Sequence, residues 1–255
     1  MSFFVLMNVS NEKKKEKIKH TQSKNVSKFK NVSKLENISK TEILSKSEKI
    51  QKIISILGKE YPDIKCPLYH RNTLELLIAV MLSAQCTDER VNLVTPALFN
   101  RFKSVEEYAN ADILEIEKYI RSTGFYHNKS KNIQEACRKI VETFHSKVPD
   151  TMEELLLLRG VARKTANVVL STAFKKQVGI VVDTHVTRLT NLIGLVKTEN
   201  AVVIERELMP FVPADKRNNF SLLLIWHGRK ICIANRPKCD ACKIRLYCEY
   251  GMKKG

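Results

Sequence analysis

Residues 155–174 read LLLLRGVARKTANVVLSTAF. An apolar helix halts at Arg159-Gly160, and a second, amphipathic helix starts within two or three residues. A tight helix–turn–helix of this kind turns the backbone N–H groups of Gly160, Val161 and Ala162 outward at a helix N-terminus. Unpaired donors and the positive end of the helix dipole make such a corner a phosphate site. Gly160 has no side chain to hold a phosphate off. The same residues also fit an ordinary helix–helix connection, so the surrounding chain has to decide.

Outward from the hairpin the chain reads as helix almost throughout. SEKIQKIISILGKEY carries an apolar stripe at 50, 53, 54 and 57, with Gly58 able to end the helix. TLELLIAVMLSAQ (73–85) is apolar nearly all round and reads as a buried central helix. Thr87 or Asp88 can cap the next helix, which contains Pro96. Shorter helices are expected at about 104–109 and 112–122, and a longer one at about 127–145. MEELLLL (152–158), ARKTANVVLSTAF (162–174), THVTRLTNLIG (184–194), ENAVVIERELMPFV (199–212) and KRNNFSLLLIWHGRKI (216–231) complete an all-α reading. Only KQVGIVV (176–182) looks strand-like, and it is too short to found a sheet.

Composition agrees, since only 8 Gly and 7 Pro occur in 255 residues. The net charge of +17 calls for a polyanionic partner, most simply nucleic acid. Residues 1–50 hold 12 Lys and 5 Glu, a net +7, so the remaining chain carries +10 and is basic in its own right. Residues 1–46 read as a disordered basic tail of low complexity, with Ser-Lys repeating at 27–28, 33–34, 39–40 and 45–46. No run approaches the roughly 18 apolar residues of a membrane span, and FFVLM (3–7) is too short for a signal sequence. Seven cysteines, an odd number, argue for a reducing, intracellular compartment. That reading leaves open cytoplasm or nucleoid in a prokaryote and nucleus or organelle in a eukaryote. No feature calls for an oligomer, so a monomer is expected.

Two residue sets carry chemistry. Lys164 falls in the first turn of the second hairpin helix, and a neutral lysine amine is a nucleophile that forms a Schiff base with a sugar C1′. Asp183, nineteen residues on in VVDTHVTRL (181–189), is a carboxylate able to stabilise positive charge on a sugar ring, and equally able to cap the following helix. In CIANRPKCDACKIRLYC (232–248), gaps of six, two and five residues separate Cys232, Cys239, Cys242 and Cys248. Disulfides, zinc and an iron–sulfur cluster are all candidates there. The compartment disfavours the first, and a single Cys-x₂-Cys unit weakens the second. Cys66, Cys86 and Cys137 read as isolated thiols, buried or bystanders.

LIAVMLSAQCTD (77–88), TGFYHNKSKNI (123–133), RGVARKTANVVLSTAF (159–174), VVDTHVTRL, HGRKICI (227–233) and the four-cysteine segment occur in one order over residues 50–250. Together they resemble the helix-hairpin-helix superfamily of DNA glycosylases, most closely its endonuclease III family. The resemblance implies two all-α domains flanking a DNA-binding cleft: a six-helix barrel domain with the hairpin at 67–176, and a cluster domain from 47–66 plus 177–255. It implies excision of oxidised pyrimidines from double-stranded DNA and cleavage of abasic sites by β-elimination. Lys164 would be the Schiff-base nucleophile and Asp183 the catalytic carboxylate. Gln85 would fill the gap left by the flipped nucleotide, Phe125 would act as an apolar wedge, and Asp88 and His185 would border the lesion pocket. Cys232, Cys239, Cys242 and Cys248 would hold one [4Fe–4S] cluster.

Two departures stand out. Where the family hairpin reads Leu-Pro-Gly-Val-Gly, this chain has Leu158-Arg159-Gly160-Val161-Ala162. Arg159 becomes a candidate extra phosphate contact, and Ala162 is strained if it must adopt positive φ. The second departure is the basic tail. Competing readings are a zinc-stabilised or iron–sulfur DNA-binding protein without catalysis, and a mismatch-type glycosylase. The last is disfavoured because such enzymes carry Ser and Glu where this chain has Lys164 and Ala79.

Overall fold

The computed structural model describes residues 44–254, so the tail lies outside it up to residue 43. The described residues form twelve α-helices and no strand. Helix α1, Lys46–Glu60, opens on a capping box: Ser45 and Glu48 each bond the other's backbone N–H, at 3.3 and 2.8 Å. The fourth Ser-Lys repeat, Ser45-Lys46, is therefore the start of this helix. Gly58 does not end α1, which runs two residues further.

Helix α2, Thr73–Leu82, is buried at every position from Glu75 onward, and it stops at Leu82 instead of reaching Gln85. Helices α3 (Asp88–Arg101), α4 (Val105–Asn110), α5 (Ile113–Ile120) and α6 (Tyr126–Phe144) follow, with Pro96 inside α3. MEELLLL yields only the single turn α7, Met152–Leu155, before the hairpin helix α8, Arg163–Thr172. KQVGIVV is a crossover of irregular backbone with a bend at Gly179 and no strand. It leads into α9 (Thr184–Ile193), α10 (Ala201–Leu208), α11 (Arg217–Lys230) and α12 (Glu249–Lys253).

The apolar side chains gather into two cores. One spans Leu68 to Leu170 and surrounds α2. The other joins Ile50, Ile53 and Leu57 of α1 to residues 180–244. None of the described helices is long and apolar enough to cross a membrane.

Candidate active site and cysteine loop

Nine of the twelve helices have a side-chain acceptor bonded at their first turn. The exceptions begin after Phe125, Ala162 and Lys216. In the hairpin, Gly160 makes the turn at φ 77°, where a side chain would run into Asn132. Ala162 sits at φ −93° as the residue before α8, so the strain foreseen there does not arise. The first N–H groups of α8 are left for an outside acceptor. One expected donor is taken up internally, since the Val161 N–H bonds the Leu158 carbonyl at 3.1 Å. Arg159 is also occupied, donating to Glu135 at 2.6 Å and to Asn132 at 3.2 Å, which holds it back from acting as a free phosphate contact.

Lys164, in the first turn of α8, and Asp183, the residue before α9, border one cavity of about 250 Å³. Asp183 has an extended backbone and accepts the Val186 N–H on Oδ1 at 2.9 Å. Capping occupies that oxygen, and the carboxylate still borders the cavity. Asp88 and His185 share the lining. Asp88 is tied across it to Arg229 at 2.7 Å. Burial lowers the His185 pKa, Asp183 pulls it back up, and Arg188, Arg229 and Lys164 push it down again. Gly228 makes room for this ring, since a Cβ there would stand 2.8 Å from Nδ1.

Larger grooves of about 660 and 900 Å³ contain neither Lys164 nor Asp183, so volume alone is a poor guide here. Gln85 and Phe125 do not line the cavity. Each projects from a turn with left-handed backbone, at φ 52° and 47°, and Phe125 is 65% exposed. Exposure on that scale excludes an ordinary core role for this aromatic.

The sequence reading missed other residues of the site. Cys66 and Cys86, read as isolated thiols, line the cavity beside Lys164, along with Trp226 and Arg229. Cys66 lies almost a hundred residues from Lys164, and nothing in its local pattern marks it. Cys137 is a buried core thiol, pushed up to about 12 by burial. Glu205 of α10 was also missed. It is buried, accepts two bonds from Arg163 and one from Asn167, and receives the Ile180 N–H. It thereby pins the start of α8 to the crossover that ends at Asp183.

Cys232, Cys239, Cys242 and Cys248 surround a small pocket of about 20 Å³. Among the described residues no three His, Cys, Asp or Glu side chains converge tightly enough to hold a single metal ion. Burial raises the Cys242 thiol to about 11, and neighbouring thiols add to the shift. Its Sγ stands 3.3 Å from His227 Nε2. Arg188 braces the loop by donating to the Cys232 carbonyl at 2.6 Å. Of the basic residues in this loop, Arg236, Lys238 and Lys243 are exposed, whereas Arg245 is paired with Asp240.

An all-helical body that places a hairpin with an open helix start beside a lysine–aspartate pocket defines a helix-hairpin-helix protein. The sequence pattern of the HhH-GPD superfamily base excision DNA repair proteins matches residues 78–214, and the chain belongs to that superfamily. It is 53% identical to the endonuclease III of Synechocystis sp. over 197 residues, 77% of this chain and 90% of the relative. It is 40% identical to that of Bacillus subtilis over 207 residues, 81% and 94% of the two chains. Among solved structures, a non-covalent endonuclease III–DNA complex superposes with a TM-score of 0.78 at 40% identity, covering 83% of this chain and 99% of that one. A trapped endonuclease III–DNA covalent intermediate matches equally well.

Proposed function

We propose that the chain is a bifunctional DNA glycosylase and abasic-site lyase that removes oxidised pyrimidines from double-stranded DNA. The observation that carries this reading is the meeting of Lys164 and Asp183 on one cavity. A flipped nucleotide there brings its C1′ to the Lys164 amine. The amine's electron pair forms the new C1′–N bond, and the N-glycosidic bond breaks with its pair leaving on the base, which takes up a proton. Ring opening then gives an iminium, and loss of a C2′ proton expels the 3′ phosphate by β-elimination. Asp183 stabilises the positive charge that develops on the sugar. The open N–H groups of α8 take a DNA phosphate. Gln85 and Phe125, exposed outside the cavity, enter the duplex, one at the vacated space and the other as a wedge.

The trapped covalent intermediate of a 40% identical relative supports the lysine route. The mismatch-type alternative has no support at position 79, where Ala79 is fully buried within α2. The two apolar cores support the division into a barrel domain at 67–176 and a second domain from 47–66 plus 177–255.

For the cysteine loop we favour one [4Fe–4S] cluster bound by Cys232, Cys239, Cys242 and Cys248. The donor set fits, since four thiols border one pocket without a carboxylate in its lining, and Arg188 beside Cys232 and Lys49 beside Cys248 favour the thiolate forms. Zinc would draw the four sulfurs onto one point. When bound, the cluster supplies structural cross-linking of the loop and no step at C1′.

Borohydride trapping on duplex DNA containing thymine glycol tests the reaction. The full chain is expected to form a covalent adduct that Lys164→Ala abolishes. Strand nicking without an adduct would overturn the lysine route.

A further inference from the structure

Lys129 of α6 is the one buried lysine among the described residues, 7% exposed, and no carboxylate there pairs with it. Its Nζ donates to the Leu82 carbonyl at 2.9 Å and to the Thr123 carbonyl at 2.8 Å. Both acceptors stand at the C-terminal ends of helical segments, α2 and the short 3₁₀ turn Arg121–Thr123, where carbonyls lack intrahelical partners and the dipole is negative. A buried ammonium is well matched to two such ends.

The location gives this arrangement its meaning. Three residues past Leu82 is Gln85, and two past Thr123 is Phe125. Both adopt the left-handed backbone that non-glycine residues keep only when their surroundings hold them there. Forty residues of chain separate the two turns, yet one ammonium fastens both.

We propose that Lys129 is a positioning residue that locks the Gln85 and Phe125 turns into one rigid probe for entering duplex DNA. This rests on the duplex-entering role given above to Gln85 and Phe125. Burial lowers the Lys129 pKa and the neighbouring Cys86 raises it, so the site tolerates the charge at a cost. A lysine that merely filled space would be better replaced by an apolar residue. Its donors matter because without them two buried carbonyls lose their partner.

Lys129→Met keeps the side chain's reach and removes its donors. Two readouts apply to the full-length protein. The first is fluorescence of 2-aminopurine placed beside a tetrahydrofuran abasic analogue in a duplex, which rises when the wedge unstacks it. The second is cleavage of a natural abasic site in a duplex and in a single strand, where no partner strand has to be displaced. The variant is expected to lose most of the fluorescence rise and to cleave the duplex site about tenfold more slowly. Single-strand cleavage should stay near the wild-type rate, and Lys129→Arg should restore part of the duplex rate.

In a Gln85→Ala/Phe125→Ala background, Lys129→Met should have no further effect on duplex cleavage, the mark of residues acting as one unit. Equal losses on both substrates, or a fully additive loss in that background, would overturn the proposal. If Lys129→Met does not fold, Lys129→Gln, which is shorter and uncharged but keeps an N–H donor pair, takes its place. A smaller loss of the fluorescence rise and of duplex cleavage is then expected, with single-strand cleavage near wild type, and equal losses on both substrates would again overturn the proposal. If the wild type cleaves neither substrate, the lyase reading falls instead, and the fluorescence rise alone then decides the role of Lys129.

Discussion

At the residue scale, substitution can separate the helix cap made by Asp183 from the catalytic role proposed for it. Its Oδ1 caps α9, and the side chain borders the cavity. Asp183→Asn keeps an amide oxygen for the Val186 N–H and loses only the charge. Turnover should fall about a hundredfold or more while melting temperature and DNA affinity stay near wild type. Asp183→Ala loses the cap as well, and denaturant unfolding should register an additional cost of about 1 kcal/mol. Equal turnover in wild type and Asp183→Asn would reduce this residue to a cap. His185 supplies a pH test. Its folded-state pKa lies below the ordinary value of about 6.5, so the folded protein binds fewer protons than the unfolded chain in that window. The stability it contributes is present above about 6.5 and is lost as pH falls toward the lowered value. NMR titration should find the ring neutral at pH 7, and a midpoint at or above 6.5 would contradict the structure.

At the scale of elements, Glu205 decides how α8 meets the crossover. Arg163 is half exposed and can return to water, but Asn167 and the Ile180 N–H are buried and lose an acceptor if the carboxylate goes. Glu205→Ala should lower unfolding stability by about 2–4 kcal/mol. Its turnover should fall further than stability explains, because the lysine helix and the Asp183 segment lose their common anchor; loss of stability alone would leave Glu205 merely structural. Helix positions were legible in the sequence wherever apolar residues recur with helical period, as in α1, α3, α6 and α9. They were less legible where every residue is apolar. In LLLL (155–158), Leu155 and Leu158 are buried while Leu156 and Leu157 are exposed, a division that composition cannot announce. The positions of Lys164 and Asp183 at two helix starts were legible from local signatures, whereas their meeting on one cavity comes only from the fold. Cys66, Trp226 and Glu205 reach the site only through tertiary packing, and no local pattern marks them.

At the scale of the molecule, charge outside residues 1–50 still amounts to +10, and DNA binding should therefore weaken steeply with salt. Each phosphate neutralised adds about −0.9 to the slope of log affinity against log salt, so a slope on the order of −4 is expected by fluorescence anisotropy. A slope near zero would remove the electrostatic basis of binding. The cavity borrows its lining from both cores, with Leu68 and Val168 from one side and Ile225 and Trp226 from the other, so neither core alone encloses it.

The make-up of those cores also has a consequence for how the chain comes into being. The first core is contiguous, from Leu68 to Leu170, and can close as soon as that stretch has left the ribosome. Helix α1 emerges earlier but has its apolar partners only from Ile180 onward, so it must wait through roughly 120 residues of synthesis with its stripe uncovered. The nascent chain thus passes through a stage in which one half is folded and Ile50, Ile53 and Leu57 remain open to chaperones or to misassociation.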